Sequence, residues 1–156
     1  TGVITHLLKK YDVPLQIVND VTNPDWTSFA CVLIRREVFE KAGLMDEGYF
    51  MYYEDVDYCL RAKNAGFEVI NWPFAHVVHL RGQSSGIKKL HSDKKRLPAY
   101  HYRSRARYYT KAYGQLGFVA SNLCWLAGRS ISLLREIVFL KNRTVSEYQY
   151  IDIWKK

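Results

Sequence analysis

Cysteine is scarce in this chain of 156 residues: there are three, Cys31, Cys59 and Cys124, far apart and odd in number. No disulfide framework and no Cys-x-x-Cys metal pair can be built from them. This excludes the disulfide-stapled and zinc-ribbon classes and leads us to expect a reducing compartment, with the cysteines serving as core filler. Also missing is an uninterrupted apolar run long enough to span a bilayer. The most apolar stretch, residues 115–140, is broken by Asn122, Arg129, Arg135 and Glu136. No signal peptide opens the chain, and we find neither an internal repeat nor a low-complexity segment. Carboxylates are rare in one half only: residues 81–156 hold four Asp/Glu against sixteen Lys/Arg.

What is present has the composition of one globular domain, with 48% hydrophobic and 24% charged residues. The formal charge of +8 is unevenly spread, since residues 1–80 carry eleven Asp/Glu against seven Lys/Arg. An acidic half (net −4) is therefore joined to a basic half (net +12). Such a division suggests that the basic half meets something anionic: a phospholipid surface, a nucleotide or diphosphate, or a nucleic acid. A solvated basic face on a helical tail is the plainer alternative.

Periodicity and punctuation predict a mixed α/β chain. Short strands are expected at Leu15–Val18, Ser28–Ile34, Phe67–Trp72 and Ala75–Leu80. Arg36–Ala42 reads as a helix stopped by Gly43. Glu54–Ala65 reads as a stronger one, with acids in its first turn, Arg61 and Lys63 late, and Gly66 as its stop. Leu44–Tyr53 is aromatic-rich and irregular, and Lys88–Arg96 reads as a charged connector. A helix should then run from Pro98 to Tyr113 with Gly114 as terminator, and a second over Gln115–Leu140. In the second, Val119, Leu123, Leu126, Ser130, Leu133, Ile137 and Leu140 form a seam like that of a coiled coil.

Two places could carry chemistry. Glu54-Asp55-Val56-Asp57 starts a helix, where the positive helix end favours ionised carboxylates while acidic neighbours oppose it. An exposed, deprotonated carboxylate there could take a proton from a hydroxyl nucleophile, although helix-start acids are common for purely structural reasons. His79, at a strand end before Arg81 and a Gly/Ser loop, could ligate a divalent cation, Mn²⁺ more readily than Mg²⁺ given the nitrogen donor.

Taken in order, Asp25-Trp26 and Leu33–Ser85 (LIRREVFEKAGLMDEGYFMYYEDVDYCLRAKNAGFEVINWPFAHVVHLRGQSS) resemble the acceptor-binding half of family 2 glycosyltransferases, nearest to the rhamnosyl- and galactofuranosyltransferase-like branch. The resemblance covers residues 25–113 or so. It implies the C-terminal portion of a GT-A, Rossmann-like α/β fold followed by a helical tail, with an inverting mechanism. The catalytic base it implies is Asp55, supported by Glu54. The residues it implies at the substrates are Trp26 and, on the donor phosphates, Arg81. His79 would be the metal ligand, with the divalent ion (Mn²⁺ or Mg²⁺) completed by residues outside this chain. The family's Asp-x-Asp motif and nucleotide-binding strands have no counterpart in residues 1–24. Phe29 stands where the family usually carries a glycine. The Gln-x-x-Arg-Trp motif of processive synthases is absent, which points to single-sugar transfer.

The expected division is residues 1–87 as the acceptor-side part of the catalytic domain and 88–156 as a basic helical region for membrane-surface docking or dimerisation. The expected partners are a nucleotide-sugar donor, a saccharide or lipid-linked acceptor, an anionic membrane surface and a second copy of the chain. The expected location is cytoplasmic, peripheral at the inner face of the cell membrane. On this reading Arg103, Arg105, Arg107 and Lys111 face anionic lipid while the apolar seam packs on protein. A rival reading, a basic helical nucleic-acid-binding module, draws on Tyr100, Tyr102, Tyr108 and Tyr109 interleaved with those cations. The acidic front half and the lack of any nucleic-acid motif weigh against it, so no nucleic acid is expected.

Overall fold

The computed structural model describes residues 19–78, 86–139 and 145–156, Lys88 by its backbone alone. Five helices appear among them: α1 Arg36–Ala42, α2 Glu54–Asn64, α3 Ile87–Ser92, α4 Ala99–Val138 and α5 Gln149–Asp152. Helices α1 and α2 fall where capping and stop residues place them. Gly43 follows α1 with φ 77° and returns its N–H to the Phe39 carbonyl. Long α4 is two helices merged across Gly114, whose φ of 70° and ψ of −174° break the helical path. A side chain at that φ is strained, so glycine sets the break.

The expected strands are the main correction. Among the described residues the sole ladder contact is an antiparallel bridge between Thr22 and Asn71. Ser28–Ile34 contains a turn at Phe29–Ala30, and neither it nor Phe67–Trp72 builds a sheet. A strand needs a neighbour to take its backbone hydrogen bonds, and apolar β-branched residues do not supply one. Leu15–Val18 lies outside the described residues, and Ala75–Leu80 lies partly outside them. The supposed connector Lys88–Arg96 is half helical, as α3.

Two apolar cores result. Val38, Tyr58 and Ala62 form the first, between α1 and α2, with Phe29, Ile34, Phe39 and Phe67 packed around them. Ile87, Leu97, Tyr102 and Ile153 form the second, where α3, α4 and α5 meet, and Tyr52, Trp125 and Leu126 join it.

Charge joins the two cores. The Asp57 side chain of α2 is 3% exposed and accepts from Arg61 at 2.9 Å and from Lys111 of α4 at 2.9 Å. The Tyr49 hydroxyl donates to its other oxygen at 3.3 Å. Lys111 also reaches Asp46 at 2.8 Å, and Arg107 grips Asp46 with two bonds of 3.1 and 2.7 Å. The Arg107 guanidinium lies where a Cβ on residue 48 would stand, so only Gly48 admits it.

This overturns the expected membrane face of α4. Arg107 and Lys111 are spent on the acidic half, and Arg105 is half-buried and bonded to Asn122 and Ser121. Of the four cations expected to meet lipid, Arg103 alone has no acidic or amide partner among the described residues. The seam is corrected as well: Leu123 and Ile137 are exposed, whereas Phe118 and Asn122 are buried.

The chain's end is tied back by a second buried carboxylate. Asp152, 1% exposed, takes two bonds of 2.8 Å from Arg96 and one of 2.7 Å from Lys155. Arg96, followed by Lys155, lowers its pKa from 3.8 to about 2. A depressed carboxyl adds stability above pH 4 that is lost as the pH falls through about 2. Asp152→Asn should therefore cost about 2 kcal/mol in urea unfolding at pH 7. The gap between variant and parent should narrow steadily below pH 4.

Candidate functional site

The site begins with a backbone that no sequence signal announces. Tyr52 and Tyr53 both have positive φ, 70° and 68°, a left-handed conformation that costs a non-glycine residue about 1 kcal/mol or more. Two such residues in succession survive only where their surroundings hold them. Here α4 does the holding. The Tyr53 ring stacks on Tyr108 at 5.6 Å, and Tyr52 meets His101 edge-on at 5.6 Å. The Ser104 hydroxyl donates to the Met51 carbonyl at 2.9 Å. Burial, followed by the charges of Arg105 and His91, holds His101 below its usual pKa, so its ring stays neutral among the tyrosines.

The strained turn sets the first residues of α2, Glu54 and Asp55. Asp55 is half-buried, and its Oδ1 accepts from the Val56 N–H at 2.8 Å. Burial raises its pKa, against the opposing pull of the Val56, Asp55 and Phe29 amides. Burial also raises Glu54, with the Asp55 charge adding to the rise, and the Glu54 Oε2 is buried without a hydrogen-bond partner among the described residues. The exposed carboxylate expected at position 55 is therefore corrected: Asp55 is half-buried, and desolvation outweighs the helix end. A carboxyl pushed upward from its ordinary value is a better proton acceptor, suited to general-base work nearer neutral pH.

Trp26 is half-buried on the loop that continues through Thr27 and Phe29. That loop runs against α2: Cys59 Sγ lies 4.0 Å from the Thr27 carbonyl, and the Phe29 amide bonds Asp55. Phe29 also packs edge-on against Tyr58 at 5.9 Å, so the residue that replaces the expected glycine is a piece of the first core. An apolar groove of about 580 Å³ opens alongside, lined by Phe29, Ile34, Val38, Cys59 and Phe67 among others.

His79 and Arg81 lie outside the described residues. Among the described ones, no group of three or more His, Cys, Asp or Glu could hold a metal ion. The third acid of the cluster, Asp57, is occupied by Arg61, Lys111 and Tyr49. The residues described here do not by themselves fit a divalent site.

The functional side chains that sequence reasoning missed are the clamps: Tyr53, Tyr108, His101 and Ser104. Their one signal was the spacing of His101, Ser104 and Tyr108, which step by three and four along one helical face.

Comparison with known proteins places this stretch in context. No family model matches the chain, and no solved structure matches it. It is 44% identical over 61 residues to the N-acetylglucosaminyl-diphospho-decaprenol L-rhamnosyltransferase of Mycobacterium tuberculosis, a match covering 39% of this chain and 20% of that protein. It is 35% identical over 72 residues to rhamnosyltransferase WbbL of Escherichia coli, covering 46% and 27%. With the dTDP-rhamnosyl transferase RfbF of Shigella flexneri it shares 42% over 53 residues, covering 34% and 18%. The chain thus matches only about a fifth to a quarter of the length of these relatives, all of them named as glycosyltransferases.

A raised carboxyl has a cost in stability that can be measured. In the interval between its unfolded and folded pKa the native state holds more protons, so stability falls as the pH rises through it. Asp55→Asn removes that cost. At pH 7 the variant should unfold at a urea midpoint equal to or above that of the parent, unlike the usual loss for a half-buried polar change.

Proposed function

We infer that this chain is the acceptor-side part of an inverting, family 2 glycosyltransferase of GT-A fold. It moves a sugar from a nucleotide-sugar donor to a hydroxyl of a saccharide or lipid-linked acceptor during cell-surface polysaccharide synthesis. The observation that carries the reading is a half-buried, proton-seeking Asp55 on a strained turn, in a chain whose relatives are named rhamnosyltransferases. The relatives' names favour a deoxyhexose such as L-rhamnose on the donor. The first of them favours a sugar-diphosphate-polyprenol acceptor.

The chemistry follows from these roles. The acceptor oxygen forms a bond to the anomeric carbon as the bond from that carbon to the diphosphate oxygen breaks, inverting the centre. Asp55 takes the hydroxyl proton. Glu54, one residue earlier, is itself desolvated and helps orient the base. Trp26 supplies an aromatic wall for a sugar face. The nucleotide diphosphate leaves with the negative charge, and stabilising it falls to residues that this chain does not describe. No step is assigned to a metal here. His79 is our proposed protein ligand for a Mn²⁺ or Mg²⁺ ion, with the other ligands supplied from outside the chain.

The test is turnover in an enzyme that carries this chain together with a nucleotide-binding half. Asp55→Asn should lower kcat at least about a hundredfold with donor KM nearly unchanged, the pattern of a lost general base, while Glu54→Gln should do less. In the parent, activity should rise with pH through a pKa above the 3.8 of an ordinary aspartate, because the base acts when deprotonated. Near-normal turnover in Asp55→Asn overturns the assignment. The isolated 156 residues should transfer no sugar, since positioning of both substrates supplies most of the rate.

A further inference from the structure

A cavity of about 500 Å³ opens between the first half of α4 and the loop before α2. Arg103, Ala106, Arg107, Thr110 and Lys111 line it from one face of the helix. This face lies about 120° round α4 from the face of His101, Ser104 and Tyr108 that holds the tyrosine turn. Trp26, Glu54 and Asp55 take no part in the lining, so the cavity is separate from the carboxyl site. Two of its residues, Ala106 and Gly48, bring almost no side chain and leave the space open. The rest are four cations (Arg103, Arg107, Lys111 and Lys156), the Asp46 carboxylate and the Thr110 hydroxyl.

Asp46 does not meet an incoming anion as a bare charge. Both of its oxygens are taken, by Arg107, Lys111 and the Gly48 N–H. Donors remain beside it. Arg107 spends Nε and Nη2 on Asp46, which leaves Nη1 free to donate. Arg103 has no acidic or amide partner among the described residues. The Thr110 Oγ1 is buried with no hydrogen-bond partner among them, although a helical threonine can bond the carbonyl one turn back. An unsatisfied buried hydroxyl is costly, and a ligand oxygen would satisfy it.

We propose that this cavity binds a phosphoryl group, carried as a diphosphate or a phosphate ester. The donors are two guanidinium forks, an ammonium and a hydroxyl, reaching in from several directions. A tetrahedral phosphoryl group turns acceptor oxygens to all of them and carries enough charge to meet the excess of cations. A planar carboxylate has a single charge and acceptors in one plane. Arg103 and Lys111 stand about 12 Å apart along the helix axis, a span that two linked phosphates fill better than one. The inference is independent of the reading as a sugar transferase.

Titration calorimetry with inorganic pyrophosphate, at low salt and pH 7, tests it on the full chain. The parent should take up one equivalent. Arg103→Gln should bind at least tenfold more weakly with unchanged circular dichroism, because that side chain is exposed. Thr110→Val removes the hydroxyl at constant charge and nearly constant shape. It should bind at least about threefold more weakly, yet unfold at the urea midpoint of the parent or above it. Lys95→Gln removes an exposed cation outside the cavity and should change the affinity less than about twofold. Farnesyl diphosphate, kept below its micelle concentration, separates the sources of the group. Binding at least tenfold tighter than pyrophosphate assigns a lipid-carried diphosphate, and any weaker preference assigns a soluble one. Loss of helicity in Arg103→Gln makes Thr110→Val the deciding variant. No uptake of pyrophosphate by the parent, full affinity in either cavity variant, or a loss in Lys95→Gln equal to that in Arg103→Gln overturns the proposal.

Discussion

Everything in this structure leans on one buried carboxylate. Asp57 sits 2% exposed in the first turn of α2 and draws donors from three places: Tyr49 on the preceding loop, Arg61 one turn on, and Lys111 on α4. Removing any one leaves a charge in a poorly solvated site, where an unpaired group is costly. The network therefore sets the position of α4 against α2. From that position α4 brings Tyr108, His101 and Ser104 to the left-handed turn at Tyr52 and Tyr53. The turn in turn sets Glu54 and Asp55. The chemistry proposed for Asp55 thus depends on an ion pair two residues away that touches no substrate.

The same network explains the uneven charge. A basic half beside an acidic half invites a search for an external anion, and the chain itself supplies much of the answer. Asp46 and Asp57 of the acidic half take Arg107 and Lys111 of the basic half. Attraction between the halves is intramolecular, where the two sides are held at high effective concentration. What is left for outside partners is a net excess of charge, with few unpaired cations on α4.

Local signals were legible and non-local ones were not. Helix α1 could be read to the residue from Gly43. Acid-first, base-last patterning marked α2, and Gly114 marked the break in α4, because helix ends are decided within a few residues. The strands at Ser28–Ile34 and Phe67–Trp72 failed because pairing depends on a distant partner. The orientation of the basic helix failed for the same reason, since Lys111 and Asp57 are far apart in sequence. At the site, Glu54 and Asp55 could be picked out by their order and by family resemblance. Burial decided the direction of the Asp55 pKa, on which the helix end and the acidic neighbours pull in opposite senses, and the tyrosine clamp could not be read without knowing which face of α4 meets the turn.

A double-mutant cycle between Asp57 and Lys111 tests this dependence most directly. Asp57→Asn, Lys111→Met and the combination would be unfolded in urea, with the near-ultraviolet tyrosine signal of the clamp followed in the same samples. The account predicts a coupling of about 1–3 kcal/mol between the two positions, and a tyrosine signal altered in both single variants. Additivity within about 0.5 kcal/mol, with the tyrosine signal unchanged, would contradict it.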